Sequence, residues 1–247
     1  MSPRNRLLAS VADLAEMEMA RLGGADIVDL KQPAFGALGA WSEESLTAAV
    51  ALWNGWGPSR PLISATAGDQ PMVPAILREA AQTIARTGVP MVKVGLFDSP
   101  HAGACVEALA PLAAGHRMIA VLFADQRPDV ALLPLLGRAG FAGVMLDTAD
   151  KKQGPLTRHL DLLTLSQFVV EARAQGLLTG LAGSLRIEDI APLAGLGADY
   201  LGFRGALCAG GRTGALDAAR LAAVRTELHR AAQAARGADE HEGERDA

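Results

Sequence analysis

Of the 23 basic residues in this chain, nineteen are arginine and only four are lysine: Lys31, Lys93, Lys151 and Lys152. Arginine stays protonated at any physiological pH, whereas a lysine can lose its proton and act as a nucleophile or base. A high-GC genome, with its arginine codons, accounts for the ratio itself. Where arginine has displaced most lysines, the survivors mark positions at which an amine is needed. Two carboxylates accompany them at short spacing, Asp29 before Lys31 and Asp147 before Lys151. Amines crowded together and desolvated have depressed pKa values. A neutral amine can attack a carbonyl to form a Schiff base, with neighbouring Lys and Asp side chains moving protons. The competing reading is a buried ion-pair network that only closes one end of the fold.

These residues must be carried by regular elements. Short aliphatic runs alternate with longer Ala- and Leu-rich stretches at helical spacing. The pattern predicts strands over residues 6–11, 26–31, 62–66, 91–96, 118–123, 144–147, 178–182 and 200–203. The intervening helices are expected over 13–22, 42–53, 73–87, 101–114, 130–139, 160–175 and 187–196, with a last one over 216–235. The run SEES provides a cap at Ser42. Near-continuous apolar strands between helices argue for a parallel sheet buried on both faces. Eight units in about 240 residues is the size of a (β/α)8 TIM barrel, class α/β. A dinucleotide-binding open sheet lacks the G-x-G-x-x-G it would need after the first strand. No linker interrupts the pattern, so residues 1–236 are expected to form a single catalytic domain, with 237–247 as a disordered acidic tail.

In such a barrel the chemistry sits at the C-terminal strand ends and the loops after them. Lys31 ends the second strand, Lys93 lies within the fourth, and Lys151 and Lys152 follow the sixth. With a period of two, Asp29 and Lys31 share one side of their strand, as do Met91, Lys93 and Gly95. A lysine on so apolar a fourth strand must face the lumen or pair with something. Phosphate-binding candidates are Gly183 and Ser184 after the seventh strand, Arg204 and Gly205 after the eighth, and Arg212 in the run CAGGRTG. Glycines there also serve ordinary turns. Asp125 either joins the site or caps the next helix, and Cys208 beside Arg204 is either a packed or loop cysteine, the commoner case, or one with a lowered thiol pKa. The histidines show no metal-ligand spacing, and no metal is expected.

Charge and composition narrow the partners. The formal net charge is -4, and the segment from Gly237 to Ala247, with five acidic residues and one arginine, accounts for all of it. The rest is neutral, with no basic stripe for nucleic acid. No apolar run reaches the roughly 18 residues of a membrane span, and no secretory signal is evident. Two distant cysteines, Cys105 and Cys208, fit a reduced, cytoplasmic protein. The expected partner is a small phosphorylated molecule, with a homo-oligomer as an open option.

The segments LLASVADLAEMEMA, GGADIVDLKQPAFGALGA, MVKVGL, GVMLDTADKK and YLGFRGALCAGGRTG together resemble the (5-formylfuran-3-yl)methyl phosphate synthase family of methanofuran biosynthesis. The family's other name is 4-(hydroxymethyl)-2-furancarboxaldehyde-phosphate synthase. The likeness extends to about residue 215. It implies a (β/α)8 barrel, a lyase condensing two glyceraldehyde 3-phosphate molecules with loss of phosphate and water, and neither metal nor organic cofactor. By position, Lys31 of D-L-K-x-P corresponds to the Schiff-base lysine and Lys93 to the proton acceptor. Asp29, Asp147 and Lys151 match the remaining active-site residues. Gln32 departs from the pattern, which frequently has an acidic residue there. The alternatives are a class I aldolase acting on another phosphorylated aldehyde, a metal-dependent lyase, and a non-catalytic barrel that binds phosphometabolites.

Overall fold

Each strand alternates between two buried apolar populations, because successive side chains point to opposite faces. Val92, Val94 and Leu96 pack outward in the large cluster shared with the helices, and so do Met118, Ala120 and Leu122. Met91, Ile119, Val121 and Phe123 belong to a smaller inner cluster with Leu8, Ile27, Met145 and Tyr200. A sheet apolar on both faces closes on itself inside a ring of helices.

The structure, a computed structural model, describes residues 5–243, with side chains through residue 234. In chain order the elements are β1 Arg6–Val11, α1 Leu14–Leu22, β2 Ile27–Leu30, α2 Glu43–Asn54, β3 Leu62–Thr66 and α3 Pro74–Arg86. Then follow β4 Met91–Leu96, α4 Ala102–Ala113, β5 Arg117–Phe123, α5 Leu133–Arg138, β6 Gly143–Asp147 and α6 Leu156–His159. The last five are α7 Leu162–Ala174, β7 Leu178–Leu181, α8 Ile190–Ala194, β8 Tyr200–Phe203 and α9 Ala218–Gly243. All neighbouring strands pair in parallel, and β1 closes on β8 through Leu8 opposite Gly202. The molecule is a single-domain (β/α)8 barrel.

Helix starts follow their caps. Asp13 accepts the Glu16 N–H at 2.8 Å, Ser42 that of Ser45 at 3.2 Å, and Asp161 that of Thr164 at 2.8 Å. Two expected helices are shortened at their starts: a 3-10 turn at Val130–Leu132 precedes α5, which Pro134 enters, and another at Ile187–Asp189 precedes α8. The expected helix over 160–175 is α7, capped by Asp161, and the loop before it holds the additional short turn α6. The last helix continues to Gly243, past the expected boundary at residue 236, and residues 244–247 lie outside the described residues. The Ala-rich run before Gly237 carries strong helix propensity, and a single glycine costs only about 1 kcal/mol in a helix.

The inner cluster seals the lumen from below. Gly180 makes room for it: a side-chain carbon there would lie 2.3 Å from Cε2 of Tyr200, whose ring crosses the barrel at this level. The charged lumen residues above therefore rest on a mostly apolar floor.

Candidate active site

Above that floor, the register sets polar inward positions side by side. Asp29 on β2 lies opposite Ser10 on β1 and Ser64 on β3, and Lys93 on β4 lies opposite Thr66. Both serines donate to the Asp29 carboxylate, Ser10 Oγ at 3.0 Å and Ser64 Oγ at 2.6 Å. Lys93 Nζ is 3.1 Å from Asp29 Oδ2, and both side chains are buried. Burial favours the neutral form of Asp29, but the charges of Lys93 and Lys31 outweigh it, so its pKa falls below the usual carboxylate value. Burial also depresses Lys93, aided by the charge of Lys31 and opposed by Asp29, and its pKa falls below the usual lysine value.

A second group forms at the end of β6. Asp147 accepts the Thr148 N–H at 2.8 Å and pairs with the Lys151 ammonium, which also donates to the Thr148 carbonyl. Lys31 Nζ stands 3.7 Å from the other Asp147 oxygen, too far for a hydrogen bond. Burial would raise the Asp147 pKa, but Lys151 and Lys31 hold it at about 2. Burial brings Lys151 down to about 8, with Lys31 acting in the same direction and Asp147 against it. The five residues expected to carry chemistry thus meet at one barrel mouth. Lys152 does not join them; it is exposed, and its N–H donates to Asp150.

Two carboxylates that sequence reasoning did not place shape the loops around these amines. Asp69 accepts the N–H groups of Ala37 and Leu38, each at 2.8 Å, and so fixes the loop after Lys31. Gly36 is required there, with φ 106° and the Asp69 carboxylate 2.0 Å from where a side-chain carbon would stand. Asp125 accepts the N–H groups of Ala149 and Asp150, each at 2.7 Å. It therefore neither enters the cavity nor caps the following helix; it holds the loop that presents Lys151.

Lys31, Lys93, Asp147 and Lys151 open into a cavity of about 570 Å³ that extends between the loops after β7 and β8 to the start of α9. Gly183, Ser184, Gly205 and Arg212 line it. Gly183 and Ser184 both have positive φ, 110° and 48°. Successive N–H groups in such a turn make a concavity suited to an anion. Among the described residues, the N–H groups of Gly183, Ser184 and Leu185 have no protein acceptor. Arg212 reaches across the mouth and donates to the Gly36 carbonyl at 2.9 Å.

Arg204 also touches the cavity, but its expected role in gripping phosphate is corrected by its contacts. Nε donates to the Arg212 carbonyl at 2.8 Å; Nη1 donates to the Ser10 carbonyl at 3.2 Å and to Glu16; Nη2 donates to Glu16 at 3.2 Å and to the Gly214 carbonyl at 2.7 Å. All five guanidinium N–H groups are engaged. Glu16 in turn accepts the N–H groups of Ala12 at 2.7 Å and Leu216 at 2.9 Å. The pair ties the β1 end to the loop after β8. Sequence offered only one hint, the Asp13-x-x-Glu16 spacing of a helix start, which conceals a tertiary role. Cys208 is the packed cysteine of the two readings: it is buried, and burial pushes its thiol up despite Arg204. Among the described residues, no three His, Cys, Asp or Glu side chains are grouped to hold a metal ion.

The 4-HFC-P synthase family model matches residues 7–225. The chain belongs to this family. A Methylorubrum extorquens relative, provisionally named for the same synthase, is 43% identical over 90% of each chain. The (5-formylfuran-3-yl)methyl phosphate synthases of Methanococcus aeolicus and Methanocaldococcus jannaschii are 34% and 35% identical, each match covering 83% of this chain and 91% of the relative. Among solved structures, thiamine phosphate pyrophosphorylase from Pyrococcus furiosus is similar at TM-score 0.62, with 10% identity over 93% of this chain and 98% of that one. Phosphoribosyl anthranilate isomerase from Thermus thermophilus is similar at 0.60, with 15% identity over 91% and 98%. These last two likenesses concern the barrel alone. Within the 4-HFC-P synthase match fall all five charged residues of the mouth and both loop-holding carboxylates.

Proposed function

We propose that this member of the 4-HFC-P synthase family is a lyase of methanofuran biosynthesis. It would join two glyceraldehyde 3-phosphate molecules into (5-formylfuran-3-yl)methyl phosphate through a Schiff base on Lys31. The supporting observation is the uneven engagement of the three amines. Lys151 is held by Asp147 and Thr148, and Lys93 is held by Asp29, whereas Lys31 faces the cavity without a hydrogen bond to its carboxylate neighbour. Its lone pair is the one free to meet an aldehyde once a proton leaves.

Attack of Lys31 on the aldehyde carbon and loss of water give an iminium, which acidifies the adjacent C2. Lys93, in the neutral form that burial favours and not as the ammonium paired with Asp29, takes the C2 proton, and the C–H pair becomes the enamine double bond. The nitrogen lone pair then restores the iminium, the enamine pair moves to C2–C3, and the C3–O bond leaves with its electrons as inorganic phosphate. No oxidant or reductant is needed. The Lys151 ammonium, fixed on Asp147, stabilises developing negative charge and supplies protons. Condensation with the second triose phosphate and ring closure expel water in total equal to two molecules per furan formed. General acid–base steps of this kind contribute about 10²–10⁴-fold each.

Borohydride reduction in the presence of glyceraldehyde 3-phosphate, followed by peptide mass spectrometry, tests the reading. The expected adduct is on Lys31 and is absent from Lys31→Ala. An adduct elsewhere, or none, overturns the mechanism. An adduct on Lys31 without furan product points instead to a class I aldolase.

A further inference from the structure

Seven cationic side chains line the cavity. Four carboxylates lie on it or directly behind it. Asp29 pairs with Lys93, Asp147 is shared by Lys31 and Lys151, Glu16 pairs with Arg204, and Glu188 lies 3.8 Å from Arg186. These four carboxylates account for five of the seven cations; Asp69 acts on Arg212 from behind the Gly36 loop without forming an ion pair. Arg212 and Arg220 have no carboxylate within ion-pair distance among the described residues.

Arg220 sits in the first turn of α9, where its backbone N–H donates to the capping Asp217 at 2.8 Å while its side chain, in no ion pair among the described residues, lines the cavity. Arg212 is half-buried close to Lys151, whose pKa its charge helps to lower. Both arginines lie on the β8 side of the cavity. The unpaired N–H groups of Gly183, Ser184 and Leu185 lie on the β7 side.

A phosphate monoester carries about -1.5 to -2 near neutral pH. The two arginines and the backbone turn are separate sets of donors on opposite sides of the cavity, each suited to one such group. We propose that Arg212 and Arg220 form a second phosphate site, distinct from the backbone turn at Gly183–Leu185, and that the cavity holds two phosphate groups at once. The inference rests on the two-triose reading above and assigns the phosphate of each triose its own residues. The backbone turn, built from fixed N–H groups at a strand end, holds the phosphate that stays in the product. The arginine site at the exposed rim takes the phosphate that is expelled and releases it to solvent.

Titration of the wild-type protein with inorganic phosphate, by calorimetry with phosphorus NMR, is expected to give two sites per chain. Arg220→Gln and, separately, Arg212→Gln are expected to leave one site intact and weaken the other roughly tenfold or more, the loss of a charge-assisted contact. In turnover, Arg220→Gln should raise KM for glyceraldehyde 3-phosphate and weaken product inhibition by phosphate, while the Lys31 adduct still forms. A single site in the wild type, or two unchanged sites in both variants, overturns the proposal. Absence of the wild-type Lys31 adduct overturns the Schiff-base reading instead, whatever the phosphate count. Circular dichroism of each variant separates a lost site from a lost fold.

Discussion

Lys93 and Asp29 face each other across 3.1 Å from strands β4 and β2, with β3 between them supplying Ser64 to the same carboxylate. Neither is accessible to bulk water, so each depends on the other for its charge. Removing one partner of a buried pair costs about 3–5 kcal/mol, because the remaining charge is uncompensated. Asp29→Asn is therefore expected to lower the midpoint of urea unfolding sharply. Lys93→Met in the Asp29→Asn background should restore part of the loss. If the two effects simply add, the pair does not couple as the geometry requires.

Lys151 sets a pH limit on the reaction. With its pKa brought down to about 8 by burial, the ammonium that assists elimination is lost above that pH. The rate kcat/KM should fall on the alkaline side of about pH 8. In Lys151→Arg, whose cation does not titrate in this range, the fall should disappear even if the overall rate is lower. Stability should respond with the opposite sign. The folded protein gives up the Lys151 proton near pH 8 while the unfolded chain retains it to the ordinary lysine value. Stability therefore rises between those limits, by up to about 1.4 kcal/mol per pH unit. Thermal unfolding of wild type against Lys151→Met across pH 8–10 reads this term directly.

Glu16 and Arg204 hold the β8 loop, and their loss should act on both stability and substrate binding. A lysine in place of Arg204 presents three donors where five are used, leaving buried carbonyls at Ser10, Arg212 or Gly214 without partners. Each unsatisfied group costs about 1–3 kcal/mol. Arg204→Lys is expected to lower Tm by several degrees and to raise KM, because Arg212 is carried by the same loop. An unchanged Tm would show that the engagement of all five donors is not structurally important.

The amines were legible in sequence and their supports were not, for a physical reason. A lysine inside an apolar strand such as MVKVGL has only the lumen to face, so Lys93 could be assigned a direction from two-residue periodicity alone. Lys31 and Lys151 follow from strand ends. Asp69, Asp125 and Glu16 act by accepting backbone N–H groups from segments distant in sequence, and Glu16 reaches Leu216 at the far end of the chain. Nothing in the spacing of a lone Asp after a strand separates that use from an ordinary cap. Arg204 was misread for the same reason: an arginine after β8 suits an anion unless a buried carboxylate from α1 is already there. The 3-10 turns before α5 and α8 read as helix because each runs into its helix without a break in the apolar pattern.

Asp125 gives the sharpest test of whether these supports tune the chemistry. It touches no substrate-facing atom; it holds the Ala149 and Asp150 N–H groups, and the loop they belong to folds Lys151 back onto Asp147 and Thr148. Asp125→Ala would leave both N–H groups to water and free the loop to move outward. Lys151 would then gain solvent, and the burial that holds its pKa near 8 would relax. The alkaline limb of the rate profile should shift upward toward the ordinary lysine value of about 10.4, with a lower kcat because the ammonium is no longer fixed on Asp147. Asp125→Asn keeps one acceptor oxygen and should fall between wild type and alanine. A purely structural role would lower stability without moving the limb. A limb that stays near pH 8 in Asp125→Ala would therefore show that Lys151 is positioned by its own contacts alone.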